Sequence, residues 1–188
     1  EHLNMAREIK AYLFDHAWDN QYGGWFDALS QDGEPLQEGK STFVQLYVIT
    51  GLSMYYFITH DPEVLDYINR SNDLLEKNAW DHNSGGYFDA LERNWTVSSE
   101  VKSLSSQLAP VSGYLLYLYM ATRDKKYLDQ AERVCDVIIR NMVDPKSGWV
   151  LENFDKNWQQ LPGKPNEQEI NIGHNIEIAW SLLRLHLL

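Results

Sequence analysis

Trp18-Asp19-Asn20-Gln21-Tyr22-Gly23-Gly24-Trp25-Phe26-Asp27-Ala28-Leu29 returns 62 positions later as Trp80-Asp81-His82-Asn83-Ser84-Gly85-Gly86-Tyr87-Phe88-Asp89-Ala90-Leu91. A third, shorter copy reads Asp144-Pro145-Lys146-Ser147-Gly148-Trp149. The offset persists downstream, because Lys40-Ser41, Gln45-Leu46 and Gly51 recur as Lys102-Ser103, Gln107-Leu108 and Gly113. Agreement over that span marks a repeat architecture, in which one supersecondary unit is stacked several times.

Each unit reads as an amphipathic helix, a glycine-containing loop that forms a short hairpin, and a nearly uncharged helix. The amphipathic helices are expected near Leu3 to Trp18, Pro62 to Asn78 and Lys125 to Asn141, with Asp61-Pro62 and Asp124 as N-cap signals. The uncharged helices are expected near Lys40 to Thr59, Lys102 to Thr122 and Asn171 to Leu187, the second kinked or started late by Pro110. A solvent-facing helix alternating with a buried one predicts two concentric layers, inner helices surrounded by outer ones. The units fall at roughly 1–60, 61–123 and 124–188 and form a single segment.

On the last inner helix, Gly173-His174-Asn175-Ile176-Glu177-Ile178-Ala179-Trp180 sets an imidazole and a carboxylate three residues apart. Residues at that spacing share a helix face. Stepping about 100° per residue places His174, Glu177, Ser181 and Arg184 in one polar stripe and leaves the rest apolar. That pattern suits a buried helix with a polar line facing a cavity. The bland alternative is a core histidine steadied by its carboxylate. The glycines of the loops read as turn chemistry. The following Trp25, Tyr87 and Trp149 serve either as packing or as flat faces for pyranose rings, an excess of aromatics that seven Trp and eleven Tyr make plain.

A formal net charge of −11 with no basic cluster argues against nucleic acid and anionic membrane surfaces as partners. The sole cysteine, Cys135, lies in an amphipathic run and reads as a small core residue; a cytoplasmic setting is expected. Ser41 to His60 and Ser103 to Thr122 are as long and uncharged as membrane spans, but their Ser, Thr, Gln and mid-run Gly residues suit buried helices better.

These residues resemble the N-acylglucosamine 2-epimerase superfamily, which includes cellobiose 2-epimerases and mannose-type aldose-ketose isomerases. The resemblance rests on Asp19 with Gly23-Gly24-Trp25-Phe26, on Asp32-Gly33 ahead of Lys40, on Gln45, on Asp61-Pro62, and most specifically on Gly173-His174-Asn175-Ile176-Glu177 with Ala179-Trp180. It implies an all-α (α/α)6 toroid whose mouth binds a sugar, opens its ring and moves a proton beside the carbonyl through an enediolate. His174 matches one of two acid/base histidines, and Glu177 the acidic residue that orients it. Trp25, Tyr87, Gln45, Gln107 and Trp149 are the expected sugar-binding side chains, for a mono- or disaccharide, with no cofactor and no metal. Where many members carry a histidine near Gln107, this chain has Ser105-Ser106-Gln107.

Three units of about 62 residues span nearly all 188 positions, whereas a ring of six needs twice as many. About half a toroid is therefore expected, inactive on its own and completed by a second copy or by further chain. Two other readings stay open. A glycoside hydrolase on a similar toroid would need two carboxylates across the cavity, for which Asp27 and Asp89 sit at matching loop positions. A carbohydrate-binding protein would need no catalysis.

Overall fold

A computed structural model describes residues 1–161 and 170–188. In chain order its helices are α1 (His2–Tyr12), α2 (Thr42–Thr59), α3 (Pro62–Asn78), α4 (Leu104–Ala109), α5 (Leu116–Thr122), α6 (Lys125–Asn141) and α7 (Ile172–Leu187). α1 runs on into a π-helical turn, Leu13–Ala17, and a second π turn, Pro110–Leu115, joins α4 to α5. Pro110 neither delays nor breaks this inner rod. It cannot donate a backbone hydrogen bond, and the wider π turn absorbs the missing donor.

Side chains set the helix starts. Asp61 accepts from the Glu63 amide at 3.0 Å and Asp124 from the Lys126 amide at 3.0 Å, as their N-cap positions predict. Ser103 accepts from the Ser106 amide at 3.3 Å and Asn171 from the His174 amide at 3.1 Å. α2 and α5 end on left-handed residues, His60 and Arg123, where glycine is commonest.

The inner helices α2, the α4–α5 rod and α7 neighbour one another in sequence order, with α3 backing α2 and α6 backing the rod and α7. α3 buries Val64, Ile68 and Leu75, and α6 buries Tyr127, Ala131, Val134, Cys135 and Ile138, the stripe spacing of amphipathic helices. Burial pushes the Cys135 thiol up to about 12, so it is an inert core group. α2 is long and apolar enough to cross a membrane by composition, but here it packs Leu46, Ile49 and Leu52 into the protein core.

Short strands stitch the units together. β1 (Lys40–Ser41) pairs antiparallel with β2 (Ala90–Leu91), which also pairs with β3 (Val97–Ser99), and β4 (Lys102–Ser103) pairs with β5 (Asn153–Phe154). The strands before α2 and the α4–α5 rod thus borrow their partners from the next unit. Each glycine loop closes as a one-bridge hairpin, at Trp18–Trp25, Trp80–Tyr87 and Val143–Val150.

Two sequestered ion pairs pin the first two loops to these strands: Lys40 to Asp19 at 3.0 Å and Lys102 to Asp81 at 2.8 Å. Burial alone would raise Asp19, but hydrogen bonds from Arg93 and Lys40 outweigh it and bring the carboxyl down to about 2. Asp81 reaches about 2 in the same way through Lys102 and Ser84. Between the outer helices, Asn72 and Gln130 exchange side-chain hydrogen bonds at 3.1 Å, and the Tyr114 hydroxyl donates to Asn72 at 2.9 Å.

α7 departs from its sequence reading. Its apolar face was expected to be covered, yet only Ile178 and Ser181 are buried, and Ile172, Ile176, Leu183 and Leu187 are exposed. Nothing among the described residues packs on that side.

Candidate functional site

The first two loops are held by amides on the inner helices. Gln45 accepts from the Trp25 amide at 2.8 Å and donates to its carbonyl at 2.7 Å. Gln107 does the same for Tyr87, at 2.7 and 2.9 Å. Both glutamines are sealed, with their polar atoms spent on backbone that would otherwise go unpaired. They have no group left for a sugar hydroxyl, which corrects the expectation that they bind substrate.

Trp25 and Tyr87 are corrected likewise: each is 0% exposed. The Trp25 indole donates to Ser71 at 2.9 Å, and the Tyr87 hydroxyl is engaged by Glu76 and Gln130. A ring without open surface cannot stack on a pyranose. Their job is to seal each loop against the following outer helix, a contact that depends on distance along the fold rather than on local sequence.

Trp149 is 42% exposed, and it is not the counterpart of Trp25 and Tyr87. The bridge pattern aligns Val150 with those two and Trp149 with Gly24 and Gly86. The turn bonds agree: the amides of Asp19, Asp81 and Asp144 donate to Gly24, Gly86 and Trp149. Gly24 and Gly86 face a tryptophan of the next unit, whereas the third loop carries its own tryptophan at that position.

His174 lies in the first turn of α7, at the end where the glycine loops gather, because Asn175 beside it clasps the Val150 backbone at 2.8 and 3.1 Å. Its side chain is partly exposed. Its Nδ1 meets the Glu152 carboxylate at 2.9 and 3.1 Å. Glu177 was expected to orient His174; it is half-buried and makes no hydrogen bond to it among the described residues. The reason is direction: Glu152 comes from the loop across the helix start, where a carboxylate can meet the ring edge.

Sequence reasoning missed Glu152, although the repeat contained the signal. Asp27, Asp89 and Glu152 are equivalent, since the Asp89 and Glu152 carbonyls accept from the amides of Thr42 and Leu104, which lie 62 residues apart. Asp27 caps the Ser41 amide at 2.8 and 3.0 Å, and Asp89 caps the Ser103 amide at 3.0 Å. Those two carboxylates are structural, which removes the pair required by the hydrolase reading. Glu152, one methylene longer, reaches the histidine instead. A carboxylate on Nδ1 makes that nitrogen the donor and leaves Nε2 as the basic lone pair.

The family model for N-acylglucosamine 2-epimerase (GlcNAc 2-epimerase) matches residues 1–188. Among curated relatives, a cellobiose 2-epimerase of Bacteroides fragilis is 29% identical, over 97% of this chain and 47% of its own length. The structure of cellobiose 2-epimerase from Bacillus thermoamylovorans B4167 superposes with a TM-score of 0.88 at 20% identity, over 97% of this chain and 48% of that one. A D-mannose isomerase structure superposes with a TM-score of 0.86 at 25% identity, over 98% and 47%. These neighbours are (α/α)6 toroids, and the chain spans about half their length and about half that of the curated relatives it matches. The arc of three helix pairs is therefore half of an (α/α)6 toroid, and the chain belongs to the N-acylglucosamine 2-epimerase family.

Proposed function

We propose that this chain supplies the His174 half of a sugar 2-epimerase or aldose-ketose isomerase site. The observation that carries the reading is the Glu152–His174 contact of 2.9 Å at the loop end of an inner helix. With Nδ1 held as a donor, Nε2 removes the proton from the carbon beside the carbonyl of an open-chain aldose, giving an enediolate. Returning the proton to the opposite face gives the epimer; delivering it to the neighbouring carbon gives the ketose. The substrate class is a mono- or disaccharide with a free reducing end, in keeping with relatives named for cellobiose epimerisation and mannose isomerisation. Glu177, one turn further along the same face, stays a candidate second carboxylate for the site.

Exchange of the sugar's C2 proton with solvent deuterium tests this, because it is a half-reaction needing one base. With the toroid completed, the protein in D2O should label cellobiose, mannose or glucose at C2, read by NMR. His174→Asn should lower the rate about a hundredfold to ten-thousandfold, the usual worth of a general base. Glu152→Gln should lower it less and displace the pH profile of exchange, which a merely structural residue would leave in place. Absence of exchange in the completed toroid, or undiminished exchange in its His174→Asn variant, contradicts the proposal.

A further inference from the structure

In each unit an amide side chain on the inner helix clasps the loop residue that stands two positions before an acidic residue. Gln45 holds Trp25 and leads to Asp27; Gln107 holds Tyr87 and leads to Asp89. Asn175 holds Val150 at 2.8 and 3.1 Å and leads to Glu152. The frame agrees along the helix as well: Gln107 donates to the Ser103 carbonyl at 3.2 Å and Asn175 to the Asn171 carbonyl at 3.0 Å, each four residues back. Registered in this way, Val44, Ser106 and His174 occupy one position, immediately before the clasping amide.

Within that shared frame the third unit differs at three places. Its clasp is Asn instead of Gln, one methylene shorter; its acid is Glu instead of Asp, one methylene longer; and the residue before the clasp is a histidine. The changes act in one direction. In the first two units the short acid stops at the helix start, where Asp27 caps the Ser41 amide and Asp89 the Ser103 amide. In the third, the shorter clasp holds the loop close to α7, and the longer acid reaches the His174 Nδ1 at 2.9 Å. Capping at the start of α7 falls to Asn171, which accepts from the His174 amide at 3.1 Å. The Glu152 carbonyl accepts from the Leu104 amide at 2.7 Å, so its main chain is fastened to the rod on one side and, through Val150, to α7 on the other. A Glu side chain has several staggered rotamers open to it, and a main chain fixed from both sides selects the one that meets the ring.

We propose that Asn175 is a positioning residue whose length sets the separation of Glu152 from His174 and thereby which imidazole nitrogen carries the proton. Its amide is spent on the Val150 and Asn171 backbone, so it acts through the pair and not on substrate. The catalytic consequence rests on the reading of His174 as the base; the geometric one does not.

Nitrogen-15 NMR of the imidazole rings, on the protein with its toroid completed and at a pH where His174 is neutral, tests this. The His174 signals are assigned by their loss in His174→Asn. The wild-type ring should be in the Nδ1–H form, which a carboxylate at that nitrogen selects. Asn175→Gln keeps a clasping amide, as Gln45 and Gln107 do, but sets the loop back by a methylene. The ring should then revert to the Nε2–H form, and kcat for C2 exchange should fall on the order of ten- to a hundredfold with KM within a few-fold, the usual scale for a small misplacement. Its urea midpoint should stay near that of wild type, which separates positioning from a role in folding alone. Asn175→Leu, which removes both loop bonds, should give the same ring form; where it does not fold, Asn175→Gln decides alone. A folded Asn175→Gln protein that keeps the Nδ1–H form overturns the inference, as does a wild-type ring in the Nε2–H form. A ring that switches while exchange is unaffected upholds the positioning and removes only the assignment of His174 as the base.

Discussion

Gln45 and Gln107 show how a polar side chain near a presumed site can be wholly structural. Each satisfies one backbone N–H and one C=O in a sealed setting. Removing such a partner leaves both groups desolvated and unpaired, at about 1–3 kcal/mol apiece. Gln107→Leu should therefore lower stability by about 2–6 kcal/mol, seen as a lower urea midpoint with an unchanged slope. A sugar-binding residue would show the opposite pattern, an unchanged midpoint and weaker binding. Trp95 and Trp158 add a second lesson at this scale. Their φ values of 70° and 62° are unusual for bulky residues, and their indole N–H groups are fastened to the preceding unit's loop, Trp95 to the Tyr22 and Gly23 carbonyls and Trp158 to the Ser84 carbonyl.

Among the elements, the ends of α2 and α5 hold the clearest reserve of stability. His60 adopts φ 53°, ψ 30° and closes α2 with an amide bond to the Tyr56 carbonyl. Glycine takes that conformation without the cost a Cβ imposes. His60→Gly should stabilise the chain by about 0.5–1 kcal/mol, less what is lost from its edge contact with Tyr56. A urea titration showing a lower midpoint would contradict this. α1 illustrates the other side of element behaviour. It buries no residue, whereas α3 and α6 bury a full stripe, because each is backed by the unit before it and α1 is not.

For the whole molecule, the two sequestered aspartate–lysine pairs set the response to acid. Asp19 and Asp81 fall from 3.8 to about 2 on folding. A carboxylate depressed in the folded state contributes stability that is full above its unfolded value and lost as pH falls through the folded one. Lys40 and Lys102 are lowered by burial, but both folded and unfolded forms are charged in acid, so they add no slope there. Asp27, raised by burial, opposes the trend near the ordinary carboxylate range. The net expectation is a urea midpoint that declines between about pH 4 and pH 2. A midpoint that holds steady across that interval would show the pairs to be energetically silent.

The order of helices, their capped starts and the three-fold repeat were legible in the chain itself, because periodicity and capping act over a few residues of local backbone. The family motif around His174 was legible for the same reason: it is a contiguous run on one helix. Which carboxylate meets that histidine was not, since Glu152 arrives from 22 residues away across a loop. Nor was the fate of the aromatics. Trp25 and Tyr87 vanish into the core because the next unit's outer helix covers them, while Trp149, one position out of register in the repeat, is left exposed. Burial is decided by what long-range neighbours supply, and only the tertiary structure brings those neighbours together.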